Sequence, residues 1–84
     1  MKNEKYSVTL PDINVNFTGH DGGHKYIVST VEYKGRIRRV SVFLANKSNE
    51  AKLEKGLSVT VEGILSEDNN DDLLISDALI IDIL

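Results

Sequence analysis

Eighty-four residues with no cysteine and a net charge of −3 make one small domain that neither disulfides nor thiolate zinc sites can staple. A second subunit is then the alternative source of buried area. The opening MKNEKYSV has no apolar core of signal-peptide length, and no later run approaches the ~20 apolar residues of a membrane span, so a cytoplasmic protein is expected. The charge is unevenly spread: residues 1–44 carry seven Lys/Arg against four Asp/Glu, and residues 45–84 three against nine. The basic excess gathers at Lys34, Arg36, Arg38 and Arg39, which suits either a local anion-binding surface or a solvated strand face.

The first predicted strand runs from about Tyr6 to Phe17. Its apolar residues fall on even positions at Tyr6, Val8 and Leu10, then on odd ones at Ile13, Val15 and Phe17. One extra residue at Pro11-Asp12 accounts for the change of phase as a bulge or sharp bend; two short strands with a proline break are the alternative. Residues 18–24, TGHDGGH, read as a flexible Gly-rich loop. His20, Asp21 and His24 carry metal-ligand chemistry, but no helix backs their spacing and no third strong ligand stands nearby, so no metal site is expected.

Residues 25–33 and 36–44 read as a hairpin closed by Lys34-Gly35, because glycine supplies the positive φ of a two-residue turn. Facing positions then sum to 69. One face pairs Ile27 with Val42, Ser29 with Val40 and Val31 with Arg38, and is expected to be the core. The other pairs Tyr26 with Phe43, Val28 with Ser41, Thr30 with Arg39 and Glu32 with Ile37, so an aromatic pair and an arginine share an outer face.

From Asn46 to Glu54 the pattern fits one or two helical turns with Ser48 or Asn49 as N-cap. A strand follows Gly56, with Leu57, Val59, Val61 and Leu65 facing one way and Ser58, Thr60 and Glu62 the other. Gly63 lies on the apolar row without a side chain, which suggests a bend or a close backbone approach. After the acidic turn SEDNNDD, the last strand from Leu73 to Leu84 is apolar on both faces: Leu73, Ile75, Leu79, Ile81 and Ile83 on one, Leu74, Ala78, Ile80 and Leu84 on the other. Burial on both sides hints at a subunit interface and at self-association as a dimer.

Lys55-Gly56, Val59, Val61, Glu62-Gly63 and Leu65 form a pattern that resembles the KG-x-x-V-x-V-E-G-x-L signature of bacterial and phage single-stranded DNA-binding proteins. The resemblance spans about Ile37 to Leu65. It implies an all-β fold, a five-stranded OB-fold barrel with one short helix between strands three and four, occupying residues 1–84 as one domain. Arg38-Arg39-Val40-Ser41-Val42-Phe43 resembles the family's third strand, where an aromatic stacks on a base. Ile37 stands where a tryptophan is common, and no aromatic follows Glu62-Gly63.

The function that follows is non-sequence-specific binding of single-stranded DNA, or RNA, in a replication setting. Tyr26 and Phe43 would stack on bases while Lys25, Lys34, Arg36, Arg38 and Arg39 neutralise phosphates. No cofactor is implied. The rival is a protein-interaction or assembly module working through the acidic half or the last strand. An enzyme is not expected, because no nucleophile–base pair, phosphate loop or spaced carboxylate pair has a recognisable signature.

Overall fold

The computed structural model describes residues 4–20, 23–67 and 72–84. In chain order the elements are β1 (Glu4–Leu10), β2 (Asn14–Thr18), β3 (His24–Tyr33), β4 (Arg36–Leu44), α1 (Lys47–Glu50), β5 (Val59–Glu67) and β6 (Leu73–Ile83). They form one six-stranded sheet in the order β1-β5-β6-β4-β3-β2. The pairings are antiparallel except for β4 with β6, which run parallel. No helix among the described residues is long and apolar enough to cross a membrane.

The expected five-stranded barrel is corrected here: the described residues form six strands, and their sheet is open. The cause is local. Pro11 has no N–H to give a ladder, and Asp12 takes a left-handed φ of 52°. The first strand therefore breaks in two, as the proline-break alternative required. Its halves occupy the two ends of the sheet order, β1 against β5 and β2 against β3. The break is anchored rather than loose. Ile13 is fully buried, its N–H donates to the Leu57 carbonyl at 2.9 Å, and its own carbonyl accepts from the Gly56 N–H at 2.8 Å.

The β3–β4 hairpin has the expected register, from Ile27 opposite Val42 to Tyr33 opposite Arg36. Lys34 and Gly35 both have positive φ, 52° and 84°, as a type I′ turn demands. Ile27, Val31, Val40 and Val42 are buried in the core with Leu10, Ile13, Leu53, Val59, Val61, Leu65, Leu73 and Ile75. The alternation expected for β5 is the one observed. Gly63 marks a close approach: a Cβ there would lie 2.6 Å from Ile75 Cγ2 and 2.7 Å from the Ser76 carbonyl oxygen.

Two expectations are corrected. Helix α1 is four residues long and is capped by Asn46, whose side chain accepts from the Asn49 N–H at 3.1 Å, so neither Ser48 nor Asn49 is the cap. The faces of β6 are also not those of an unbroken strand. Asp77, at φ 50°, and Ala78 together oppose the single Gly63, and Ile81 is an extra residue between the partners of Val61 and Thr60. Each irregularity reverses the alternation. Leu73, Ile75 and Ala78 are buried, Ile80 packs against the core, and Leu79, Ile81, Ile83 and Leu84 remain exposed.

Candidate nucleic-acid interface

The outer face of β3 and β4 presents Tyr26, Val28 and Thr30 beside Arg39, Ser41 and Phe43, because alternate residues of paired strands share a side. Register extends this face to Asn14 and Asn16 on β2, opposite Val28 and Tyr26. The Tyr26 and Phe43 rings stack with centroids 4.7 Å apart and planes 19° apart, both half-buried. Arg39 is exposed, with its Nε 4.0 Å from Oδ2 of Asp72. Beside it lies an open cleft of about 390 Å³ lined by Pro11, Asp12, Asn14, Val28, Ser29, Thr30 and Arg39. Flat rings, one cation and short amides on a shallow surface can hold planar, anionic, extended ligands.

The structure brings together Tyr26, Phe43 and Arg39, and places the other predicted residues elsewhere. Lys25 shares the parity of buried Ile27, and its ammonium sits 6.0 Å from the centroid of the Phe17 ring. Lys34 belongs to the hairpin turn, 5.4 Å from the centroid of the Tyr33 ring. Arg36 is exposed at the hairpin end, opposite Tyr33. Arg38 points inward, as its pairing with Val31 requires. Its side chain is only 9% exposed; it bonds to Glu67 and lies 5.5 Å from the Tyr33 ring, which meets Tyr6 edge-on.

Three features escaped the sequence reading. Phe17 continues the apolar row of β2, yet it is 63% exposed. Glu50 is buried, accepting from the Lys25 N–H at 2.9 Å and lying 3.3 Å from His24 Nδ1. The Lys25 N–H holds its carboxyl below the ordinary carboxylate value, against the upward pull of burial and with help from His24 and Lys47. Asp72 and Glu67, read only as part of an acidic turn, engage the two adjacent arginines. Of the residues considered for metal binding, His20 is exposed, His24 pairs with Glu50, and Asp21 lies outside the described residues. Among the described residues, no group of three or more His, Cys, Asp or Glu could hold a metal ion.

No family model and no curated protein matches this chain. A solved structure does: the mitochondrial single-stranded DNA-binding protein Rim1 of S. cerevisiae, with a TM-score of 0.59 and 18% identity, the match covering 99% of this chain and 92% of that one. The fold is an OB-fold.

Proposed function

We propose that this chain binds single-stranded nucleic acid, with little sequence preference, on the outer face of β2, β3 and β4. The observation that carries the reading is that the Tyr26–Phe43 stack and Arg39 share the outer face of β3 and β4, the strands whose face binds oligonucleotides and oligosaccharides in OB-folds. Bases stack on the exposed ring surfaces, and each such contact contributes about 1–3 kcal/mol with any base, since every base has a π-face. Arg39 takes a phosphate, with Lys34 and Arg36 at the hairpin end and Lys25 beyond Tyr26 as further cations. The likeness to a single-stranded DNA-binding protein of yeast mitochondria supports this ligand class. Titrating labelled oligo-dT across a salt series tests it: affinity is expected to fall steeply as salt rises. Affinity that ignores salt, or no binding at low salt, would remove the proposal.

A second reading, a protein-interaction or assembly module, is favoured by Leu79, Ile81, Ile83 and Leu84, which lie exposed toward the end of β6. Exposed apolar side chains on the acidic half of the chain are suited to association with a second copy as a dimer. Light scattering at high micromolar concentration, repeated on Ile81→Glu, tests this. A dimer mass lost in the variant supports it, and a monomer mass for both chains rejects it.

A further inference from the structure

Phe43 faces two ways. Besides stacking on Tyr26, it lines a second cleft, of about 270 Å³, with Thr18, His24, Lys25, Lys47 and Glu50 around it. This cleft lies between the start of α1 and the β2–β3 edge. Its charged lining comprises two lysines and one carboxylate. The Glu50 carboxylate stays ionised, held so by the Lys25 N–H, by His24 and by the nearby Lys47, so the two ammonium groups leave the lining one positive charge in excess toward an incoming anion. The Lys25 ammonium reaches from this cleft to the Phe17 ring. A single exposed apolar residue is ordinary. Phe17 differs because a cation stands over its ring and because Lys25, its register partner, borders a basic cleft that a stacking residue also borders.

We propose that this cleft is a second nucleotide subsite, in which the strand continues past Phe43, sets a phosphate between Lys25 and Lys47, and lays the next base on Phe17. The inference rests on the single-stranded nucleic-acid reading above and extends it. The cleft is smaller than the roughly 300–1,000 Å³ of a pocket that encloses a drug-sized molecule. It therefore admits phosphate and sugar and leaves the base outside, where the Phe17 ring stands exposed. Thr18 supplies a hydroxyl beside the same phosphate position. The subsite lengthens the footprint beyond what the Tyr26–Phe43 stack covers alone.

Oligonucleotide length separates this subsite from the main stack. The full chain and its Phe17→Ala, Lys47→Ala and Phe43→Ala variants are titrated with labelled oligo-dT of about 4 and about 16 nucleotides, the range one such domain spans. For the longer strand, Phe17→Ala is expected to lose about fivefold or more in affinity, and Lys47→Ala to lower the salt slope by about 0.7. Both variants should bind the short strand as the parent does, while Phe43→Ala weakens both lengths. Both side chains are exposed, so melting curves are expected to match the parent. If Phe43→Ala weakens binding while Phe17→Ala and Lys47→Ala change nothing, the second subsite is overturned and the main site stands. Equal losses on both lengths also overturn it, since Phe17 would then belong to the main stack. No binding by the parent chain at either length overturns both.

Discussion

The Nε of Arg39 lies 4.0 Å from a carboxylate oxygen of Asp72, on the face that also presents Tyr26 and Phe43. An acid from the start of β6 thus stands where a phosphate would approach the arginine. Both side chains are substantially exposed, and pairs of this kind contribute only about 0–1 kcal/mol, so a phosphate can displace the acid.

Asp72→Asn is therefore expected to tighten oligo-dT binding at low salt, by a factor of about 2–5 given an exposed pair of that strength. Arg39→Ala is expected to weaken binding and reduce the salt slope by about 0.7, one phosphate's share on a single strand. Anisotropy titrations on both variants decide the matter. Weaker binding by Asp72→Asn would show that the acid supports the interface rather than competing with it.

Phe43 is half-buried and stacked on Tyr26 rather than inserted among Ile27, Val40 and Val42. Phe43→Ala should then remain folded. It loses an aromatic pair contributing about 0.5–1.5 kcal/mol beyond its area, not the roughly 3–5 kcal/mol of a core phenylalanine. Its oligo-dT affinity should fall by about tenfold, one stacked base. Thermal melts and titrations on the same sample check both halves. A folded variant with unchanged affinity would exclude this face as the binding site.

Much of this face could be read from the chain because its determinants are local. A two-residue turn fixes the β3–β4 register outright, and with it the side on which Tyr26, Arg39 and Phe43 emerge. The same register already turned Arg38 inward opposite Val31, so its place among the phosphate contacts conflicted with the pairing. What the chain concealed depends on distant partners. Glu67 meets Arg38 across 29 positions, and Glu50 meets Lys25 across 25, with nothing in either segment to announce the other. The faces of β6 were misread because Asp77 and Ile81 insert residues that alternation cannot reveal where apolar residues fall on both parities. The split of β1 from β2 was visible as a phase change at Pro11-Asp12, yet a bulge and a break leave the same trace.

Gly63→Ala is expected to destabilise the fold. The new Cβ would meet Ile75 Cγ2 at 2.6 Å, the Ser76 carbonyl oxygen at 2.7 Å and Ala78 Cα at 3.0 Å. Two of these are backbone atoms held by the β5–β6 ladder, so they cannot swing aside. Overpacking of this kind costs about 1–3 kcal/mol, and a domain of this size loses about 4–8 °C in Tm per kcal/mol. A melt within a degree or two of the parent's would mean that β6 slides freely past β5.

Glu50 gives the fold an acid-sensitive joint between α1 and the start of β3. Its carboxylate accepts from the β3 backbone at the Lys25 N–H and lies against His24, and the Lys25 N–H is the chief reason its carboxyl titrates below the ordinary value. A carboxyl held low in the folded state contributes stability that is complete above its unfolded value and is lost as pH falls through the folded one. Glu50→Gln keeps an oxygen for the Lys25 N–H but removes the titration. Its stability difference from the parent should therefore shrink as pH drops through the acidic range. Glu50→Ala leaves that N–H without its acceptor and is expected to cost about 1–3 kcal/mol at neutral pH, more than Glu50→Gln. Urea unfolding of the three chains at neutral and at acidic pH measures both comparisons. A gap between Glu50→Gln and the parent that stays constant with pH would show that this carboxylate does not couple folding to protonation.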